Sequence, residues 1–153
     1  MTGSVITEVL AVAALLGTGL VSGVFFAVAV SVVPALRVLP TGRYVEMHRL
    51  LGRGYHPSMP LIVNAAMAAD IALAVLDGRP GRTALYGAAA ALVLVVQGVS
   101  HLCNVPLNRR VHGVDTADLP DDWSDPRPRW RAWHLTRTAV AFAAMLLTCT
   151  AVV

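Results

Sequence analysis

Residues 83–103, TALYGAAAALVLVVQGVSHLC, decide the fold of this chain. They carry no charge when His101 is neutral. They are also long enough to cross the hydrocarbon core of a bilayer, which is about 30 Å thick and takes roughly 20 helical residues. The sequence therefore predicts a membrane-spanning helix. The residues that follow, NVPLNRR at positions 104–110, crowd two asparagines and a proline into its end. Polar groups are costly in lipid, so this end is the first place to look for a functional site.

Three further segments are long and nearly free of charge, namely residues 9–33, 59–76 and 130–153. The whole chain has 56% hydrophobic and 14% charged residues, a balance typical of membrane proteins. We therefore expect an all-α, integral membrane four-helix bundle that forms a single domain over residues 1–153. Its helices should cover about 5–34, 58–77, 82–105 and 127–152, with Pro34 and Pro106 ending the first and third.

The basic residues predict the orientation of the bundle. All of them are arginines; ten lie in or beside the first and third connections, against two, Arg79 and Arg82, in the second. The positive-inside rule then places the first and third connections in the cytoplasm and both termini outside, in the plasma membrane if the source is a bacterium. The arginines are split among loops without interleaved aromatic residues, which argues against binding of nucleic acid.

The first connection has a helical pattern of its own. Tyr44, Met47, His48, Leu51 and Tyr55 recur at the spacing of one helix face, while charged residues fall on the opposite face. We expect a short helix over about 41–55 that lies at the membrane interface, with its histidine on the side that faces lipid or protein.

Polar residues form a stripe at the end of the third predicted helix. Gln97, His101, Asn104 and Asn108 are spaced four, three and four residues apart. At about 100° per residue they fall within about 60° of one another, so they share one face.

The fourth predicted helix begins with a matching stripe. Trp130, His134 and Arg137 follow the same spacing, with Trp133 beside them. Antiparallel helices joined by the third connection meet at this end, so the two stripes should face each other. Asn64 lies at a similar depth in the second helix, and the helix that carries the first connection's histidine can cover the group.

These elements resemble a known family. A glycine-rich first helix before Pro34, a basic loop with His48, NVPLN at 104–108 and WRAWHLTR at 130–137 are similar to the anthrone oxygenase-like family of small four-helix membrane proteins. The resemblance implies oxidation of an anthrone to an anthraquinone by molecular oxygen, often in polyketide pathways. It implies no flavin or nicotinamide cofactor, and the sequence has no G-x-G-x-x-G phosphate loop.

The residues suit that chemistry. Removing one benzylic proton from an anthrone leaves an electron-rich anion that reacts with O2 directly, so the protein need supply only a base, a charge stabiliser and a dry pocket. The candidate base is His134 or His101. The candidate donors to the developing oxyanion are Arg137, Asn104 and Asn108.

The remaining polar and aromatic residues would contact a small hydrophobic aromatic substrate. Trp130 and Trp133 are the expected aromatic walls of the pocket. Asn64, His48 and Gln97 complete the predicted substrate contacts.

Two alternatives stay open. His48, His101 and His134, with His56 as a possible fourth, would be the imidazole ligands of a copper or iron oxidase. The polar residues could instead serve a non-catalytic module that binds a small hydrophobe or a partner protein, because Asn and His near helix ends also pair across helices.

Two features lie outside the predicted site. Gly19 and Gly23 form a small-xxx-small pair of the kind that packs helices closely, within the chain or in a homo-oligomer. Asp70 is either a buried acid without a role or a hydrogen-bond partner between helices.

Overall fold

In a computed structural model, which describes residues 2–116 and 123–153, four helices are long and apolar enough to cross a membrane: Val5–Arg37, Ser58–Leu76, Pro80–His112 and Arg127–Val152. We call them the first to fourth spans. The described part of the chain contains no strand. The predicted all-α architecture of four spanning helices is confirmed, and the chain is a helical membrane protein.

Each span packs against two others, so the four close into a square bundle. The first span contacts the second and fourth, and the third span also contacts the second and fourth. Small residues let the backbones approach closely: an added Cβ on Gly17 would lie 2.7 Å from the Cβ of Ala66. Such packing replaces the hydrophobic driving force that helices lack in lipid.

The first and third spans each contain a π-helical turn, Val28–Val32 and Ser100–Asn104. The flanking α-helical parts are Thr2–Ala27 and Val33–Arg37 in the first, and Pro80–Val99 and Val105–His112 in the third. Pro34 and Pro106 follow the turns, at the start of the second α-helical part.

The prediction that these prolines end their helices is therefore wrong. The first span runs on to Arg37 and the third to His112, beyond the expected ends at 34 and 105. In each π turn the hydrogen bond runs five residues back, as from the N–H of Val105 to the carbonyl of Ser100. A wider turn before proline relieves the clash of its ring with the preceding turn, and proline needs no N–H partner.

The first connection folds into the loop helix, Thr41–Arg53. Of its predicted apolar face, Tyr44 and His48 are buried against the bundle. Met47, Leu51 and Tyr55 are 36–40% exposed. The loop helix thus covers one end of the bundle with only part of that face.

Arg49 attaches this cover to the third span, and Arg127 ties the fourth span to the end of the first. The guanidinium of Arg49 donates to the carbonyls of Val111, His112 and Val114 at the end of the third span. That of Arg127 donates to the carbonyls of Leu36, Arg37 and Leu39 at the end of the first. Cationic side chains at helix C-termini satisfy carbonyls that lack intrahelical partners.

The remaining sequence features lie elsewhere in the bundle. Asp70 is fully buried, and the Thr148 hydroxyl of the fourth span donates to it at 3.2 Å, so it acts as a hydrogen-bond partner between helices. Gly19 and Gly23 have no atom within 4 Å of an added Cβ. Unlike Gly17, they are not used for packing within the described chain.

Candidate functional site

A cavity of about 400 Å³ lies between the spans and the loop helix, at the end of the bundle that holds both π turns. We call it the polar pocket. Its predicted residues are His48, Asn64, Gln97, His101, Asn108, Trp130, His134 and Arg137. Apolar side chains including Val24, Phe25, Val63 and Val96 form the rest of its wall. Pockets that hold small molecules combine apolar walls with a few polar groups in this way.

His134 is fully buried, and hydrogen bonds occupy both of its ring nitrogens. Nε2 lies 3.0 Å from the carbonyl oxygen of Phe25, which can only accept, so Nε2 carries the proton. Nδ1 lies 3.0 and 3.2 Å from two guanidinium nitrogens of Arg137, which can only donate. His134 is therefore held as a neutral acceptor for Arg137 and has no free lone pair with which to act as a base.

Arg137 is held inside the pocket wall. Besides bonding His134, its Nη1 donates to the Ser100 hydroxyl at 3.1 Å. Its guanidinium carbon lies 4.5 Å from the ring centroid of Phe25, a cation–π contact. These contacts fix a positive charge beside a largely apolar cavity, where it acts strongly on a developing anion.

Asn108 joins three elements through its side-chain oxygen. The indole Nε1–H of Trp130 donates to this oxygen at 2.7 Å, and indole cannot accept, so the amide orientation is settled. His48 Nε2 lies 3.0 Å from the same oxygen and must therefore carry a proton too. The lone pair of neutral His48 is then on Nδ1, and the Asn108 oxygen is fully used.

Trp130 also forms an aromatic wall. Its ring stacks on that of His134, with centroids 5.0 Å apart and planes 8° apart. The stack and the bond to Asn108 together leave the indole little freedom to turn.

His101 has a free ring nitrogen. Its Nδ1 lies 2.9 Å from the carbonyl oxygen of Gln97, so Nδ1 carries the proton. Nε2 then holds the lone pair, and it has no hydrogen-bond partner among the described residues. Of the two bases predicted, His101 and His134, only His101 keeps a lone pair available.

Two other predicted residues line the pocket with their amides already bonded. The Asn64 amide donates to the Pro60 carbonyl of its own helix, and that of Gln97 lies 3.4 Å from the Met67 sulfur. Each retains a carbonyl oxygen.

Asn104 and Trp133 do not line the pocket, contrary to the prediction. Asn104 is buried and donates to the Trp130 carbonyl, whereas Trp133 is 36% exposed on the outer side of the fourth span. Asn104 ends a π turn, and the extra residue in that turn rotates the helix by on the order of 100° from an unbroken α-helix. Asn104 therefore leaves the predicted stripe, whereas Gln97, His101 and Asn108 still line the pocket.

The position of His48 affects its charge. Burial lowers the pKa of His48 from its usual 6.5, and His112 lowers it further, while the bond to Asn108 acts in the opposite direction. His48 is accordingly neutral at pH 7.

The histidines proposed as metal ligands do not come together as a metal-binding group in the described part of the chain. Among residues 2–116 and 123–153, no three His, Cys, Asp or Glu side chains converge as metal ligands would. Both nitrogens of His134, one of the three proposed ligands, are already bonded to Phe25 and Arg137.

Sequence reasoning missed two partners of Arg137. Ser100 lies three residues after Gln97 and four before Asn104, a spacing that could have included it in the stripe. Phe25 contributes a ring and a backbone carbonyl from an apolar helix, and nothing in the sequence distinguishes it from its neighbours.

Comparison with protein families places this geometry in context. A model of the family described as "Anthrone oxygenase" matches residues 47–147, which include all ten predicted site residues. Comparisons with curated proteins and with solved structures gave no match. The match covers more than half of the chain and confirms the resemblance seen in its motifs. This chain belongs to the anthrone oxygenase family.

Proposed function

We propose that the polar pocket binds an anthrone-like or similarly electron-rich aromatic molecule and that the protein oxidises it with O2. The observation that carries the proposal is the free Nε2 of His101 in the same pocket as the partly buried cation of Arg137. A base and an anion stabiliser are what this oxidation requires. Family membership supports the same reaction.

The proposed reaction needs no group beyond the chain, the substrate and O2. The base takes one proton from the benzylic CH2, which leaves a carbanion delocalised as a phenolate. This anion gives its electrons to O2, and carbon and oxygen join to form a hydroperoxide after the proton returns. Loss of water, made from the remaining C–H proton and the outer oxygen, leaves the second carbonyl. One O2 thus yields one quinone and one H2O.

The residues have distinct roles in this scheme. His101 takes the proton, and Arg137 stabilises the oxyanion on the ring system. Trp130 provides a flat wall for the aromatic substrate. His134 is a positioning residue, since its contacts orient Arg137 and Trp130.

The experiment measures quinone formation and O2 consumption with an anthrone in membranes that contain the protein. His101→Ala should lower turnover by about 100-fold or more, the usual contribution of a general base. Added imidazole should restore part of it, because His101 is exposed at the pocket rim. Leu102→Ala is the matched control, since Leu102 is 79% exposed and does not line the polar pocket.

Deuterium at the reacting carbon separates the roles further. The wild-type protein should show an isotope effect on turnover if proton removal limits the rate. In a separate test of the anion stabiliser, Arg137→Gln should lose turnover while keeping the fold. Full turnover in folded His101→Ala and Arg137→Gln proteins would refute the assignment. Retained anthrone binding without turnover in wild type would favour the non-catalytic binding module.

We also propose that the pocket end of the bundle faces the cytoplasm, with both termini outside. The arginines of the first and third connections support this orientation. An aromatic substrate made in the cytoplasm would then reach the pocket without crossing the bilayer.

A further inference from the structure

A second cavity, of about 350 Å³, adjoins the polar pocket. Leu36, His48 and Trp130 line both cavities, so they form the wall between them. The proposed oxidation uses none of the charged groups on the far side of this wall. They are Arg37, Asp125, Arg127 and Arg131.

Positive charge predominates among the described residues that line the second cavity. There, three guanidinium groups face one carboxylate, a net charge of two positive for these side chains. Arg127 is already committed, because it pairs with Asp125 at 2.8 Å and donates to the carbonyl of Leu39 at 2.7 Å. The side chains of Arg37 and Arg131 have no hydrogen-bond or ion-pair partner within the described residues. Two cations are therefore available to a ligand.

Tyr44 supplies a further hydrogen-bond donor to the second cavity. It lines the second cavity and is only 2% exposed, and its ring is fixed by the guanidinium of Arg127 at 4.9 Å and by the edge of His48. Its hydroxyl has no hydrogen-bond partner in the described part of the chain, so it can donate to a ligand in the cavity.

The hydroxyl keeps its proton under all ordinary conditions. Burial raises the pKa of Tyr44 to about 12, with Asp125 acting in the same direction and Arg127 against it. Tyr44 is thus a permanent donor, like the two arginines, and all three suit a ligand that carries several acceptor oxygens and a negative charge.

The position of the cavity suggests the source of such a ligand. Arg37 is the last residue of the first span, and Arg127 and Arg131 lie in the first two turns of the fourth. The cavity therefore opens where a bilayer has its headgroups. Basic pockets between spanning helices at this level bind anionic lipid headgroups.

We propose that the second cavity is a phosphate-binding site, held by Arg37, Arg131 and the Tyr44 hydroxyl, that takes an anionic phospholipid headgroup or free phosphate. The two arginines make charge-assisted hydrogen bonds to the phosphate oxygens, and Tyr44 donates a third bond. The site is separate from the oxidation and would exist if the protein had another activity.

The experiment uses the full-length protein in nanodiscs. One set contains only phosphatidylcholine, a second contains added phosphatidylglycerol, and a third contains phosphatidylcholine with inorganic phosphate in the buffer. Melting temperature and the lipid retained in native mass spectrometry are measured. Phosphatidylglycerol should raise the melting temperature and remain bound. Arg37→Gln with Arg131→Gln should abolish both effects, and Tyr44→Phe should weaken lipid retention about tenfold.

A matched double variant controls for general charge attraction. Arg53→Gln with Arg110→Gln removes the same charge from exposed residues at the same end that line neither cavity, and it should keep the effect. If phosphate in the third set stabilises through Arg37 and Arg131, the site stands and its ligand is soluble. The proposal is overturned if neither probe stabilises the protein, or if both double variants behave alike. Anthrone turnover is not used as a readout, so this result is independent of the proposed function.

Discussion

The side-chain oxygen of Asn108 is the acceptor that ties the loop helix to the third and fourth spans. Asn108→Leu would leave the N–H groups of His48 and Trp130 without partners, at a cost of about 1–3 kcal/mol for each buried donor. Trp130→Phe removes one donor and leaves the oxygen bonded to His48, so its loss of a hydrogen bond should cost about 1 kcal/mol. Denaturant unfolding in detergent measures both.

Asn64→Leu is the control for that comparison. The Asn64 amide bonds only to a carbonyl of its own helix, at an exposed position, so this change should leave the unfolding free energy nearly unaltered. An equal loss of unfolding free energy in Asn64→Leu and Asn108→Leu would show that the hydrogen bonds to Asn108 do not stabilise the fold in the way described.

The buried imidazole of His48 makes stability depend on pH. Its pKa in the folded protein is below the usual 6.5, with burial as the main cause, so the unfolded chain takes up this proton at a higher pH than the folded one. The contribution of His48 is therefore fully present above pH 6.5 and is lost as pH falls from there toward the folded pKa. His48→Gln should flatten the unfolding free energy measured across this range. A slope unchanged in His48→Gln would assign the dependence to other groups.

The position and role of some site residues can be predicted from the sequence, and those of others cannot. Trp130, His134 and Arg137 lie on an uninterrupted α-helix, so the 3.6-residue period placed them on one face correctly. Asn104 is the last residue of a π turn, whose extra residue is not visible in the period. The role of His134 could not be predicted either, because it depends on a backbone carbonyl of Phe25, and every residue has one.

Among the elements, the first and second spans approach each other closely at Gly17. A Cβ there would lie 2.7 Å from the Cβ of Ala66 and 3.2 Å from its backbone Cα, so Gly17→Ala should force the helices apart and cost about 1–3 kcal/mol. Gly19→Ala and Gly23→Ala meet open space and should change the unfolding free energy of the detergent-solubilised monomer little. Ala66→Gly should rescue Gly17→Ala, and additive losses in the double variant would argue against this contact.

Arg49 also holds the loop helix to the third span. Its Nη2 has two hydrogens, which are shared among the carbonyls of Val111, His112 and Val114. Arg49→Ala should speed amide hydrogen exchange in the loop helix, corresponding to about 1.5–3 kcal/mol of lost protection for bonds to a charged group.

Arg43→Ala provides the comparison within the same helix. Its ion pair with Glu46 is exposed on both sides, so its loss should change exchange little. Equal acceleration by the two variants would mean that the loop helix depends on its own helicity and not on its attachment.

The elements were predictable to different degrees because their signals have different physical origins. Length and lack of charge identify a spanning helix regardless of its neighbours, which is why all four spans were found. The rule that proline ends a helix comes from helices in water. In a spanning helix, ending the backbone hydrogen bonds would leave polar groups in lipid, so Pro34 and Pro106 are accommodated by π turns.

At the scale of the whole molecule, the two ends of the bundle differ in what their charges do. At the pocket end, Arg49, Arg127 and Arg137 bond to carbonyls, a hydroxyl and an imidazole as well as to one carboxylate, that of Asp125. At the other end, Arg79 and Arg82 both lie within 3.4 Å of Asp77. The chain thus concentrates its positive charge at the end where its cavities lie.

This asymmetry makes the orientation testable. The positive-inside rule counts arginines and gives acids little weight, so the pairing of Arg79 and Arg82 with Asp77 does not weaken the prediction. With Cys103 and Cys149 replaced by serine, Arg43→Cys tests the pocket end and Arg79→Cys the other end. In intact cells a membrane-impermeant maleimide should label Arg79→Cys and not Arg43→Cys, and inverted vesicles should give the reverse. Labelling of Arg43→Cys in intact cells would place the pocket outside, where a substrate made in the cytoplasm would have to cross the bilayer to reach it.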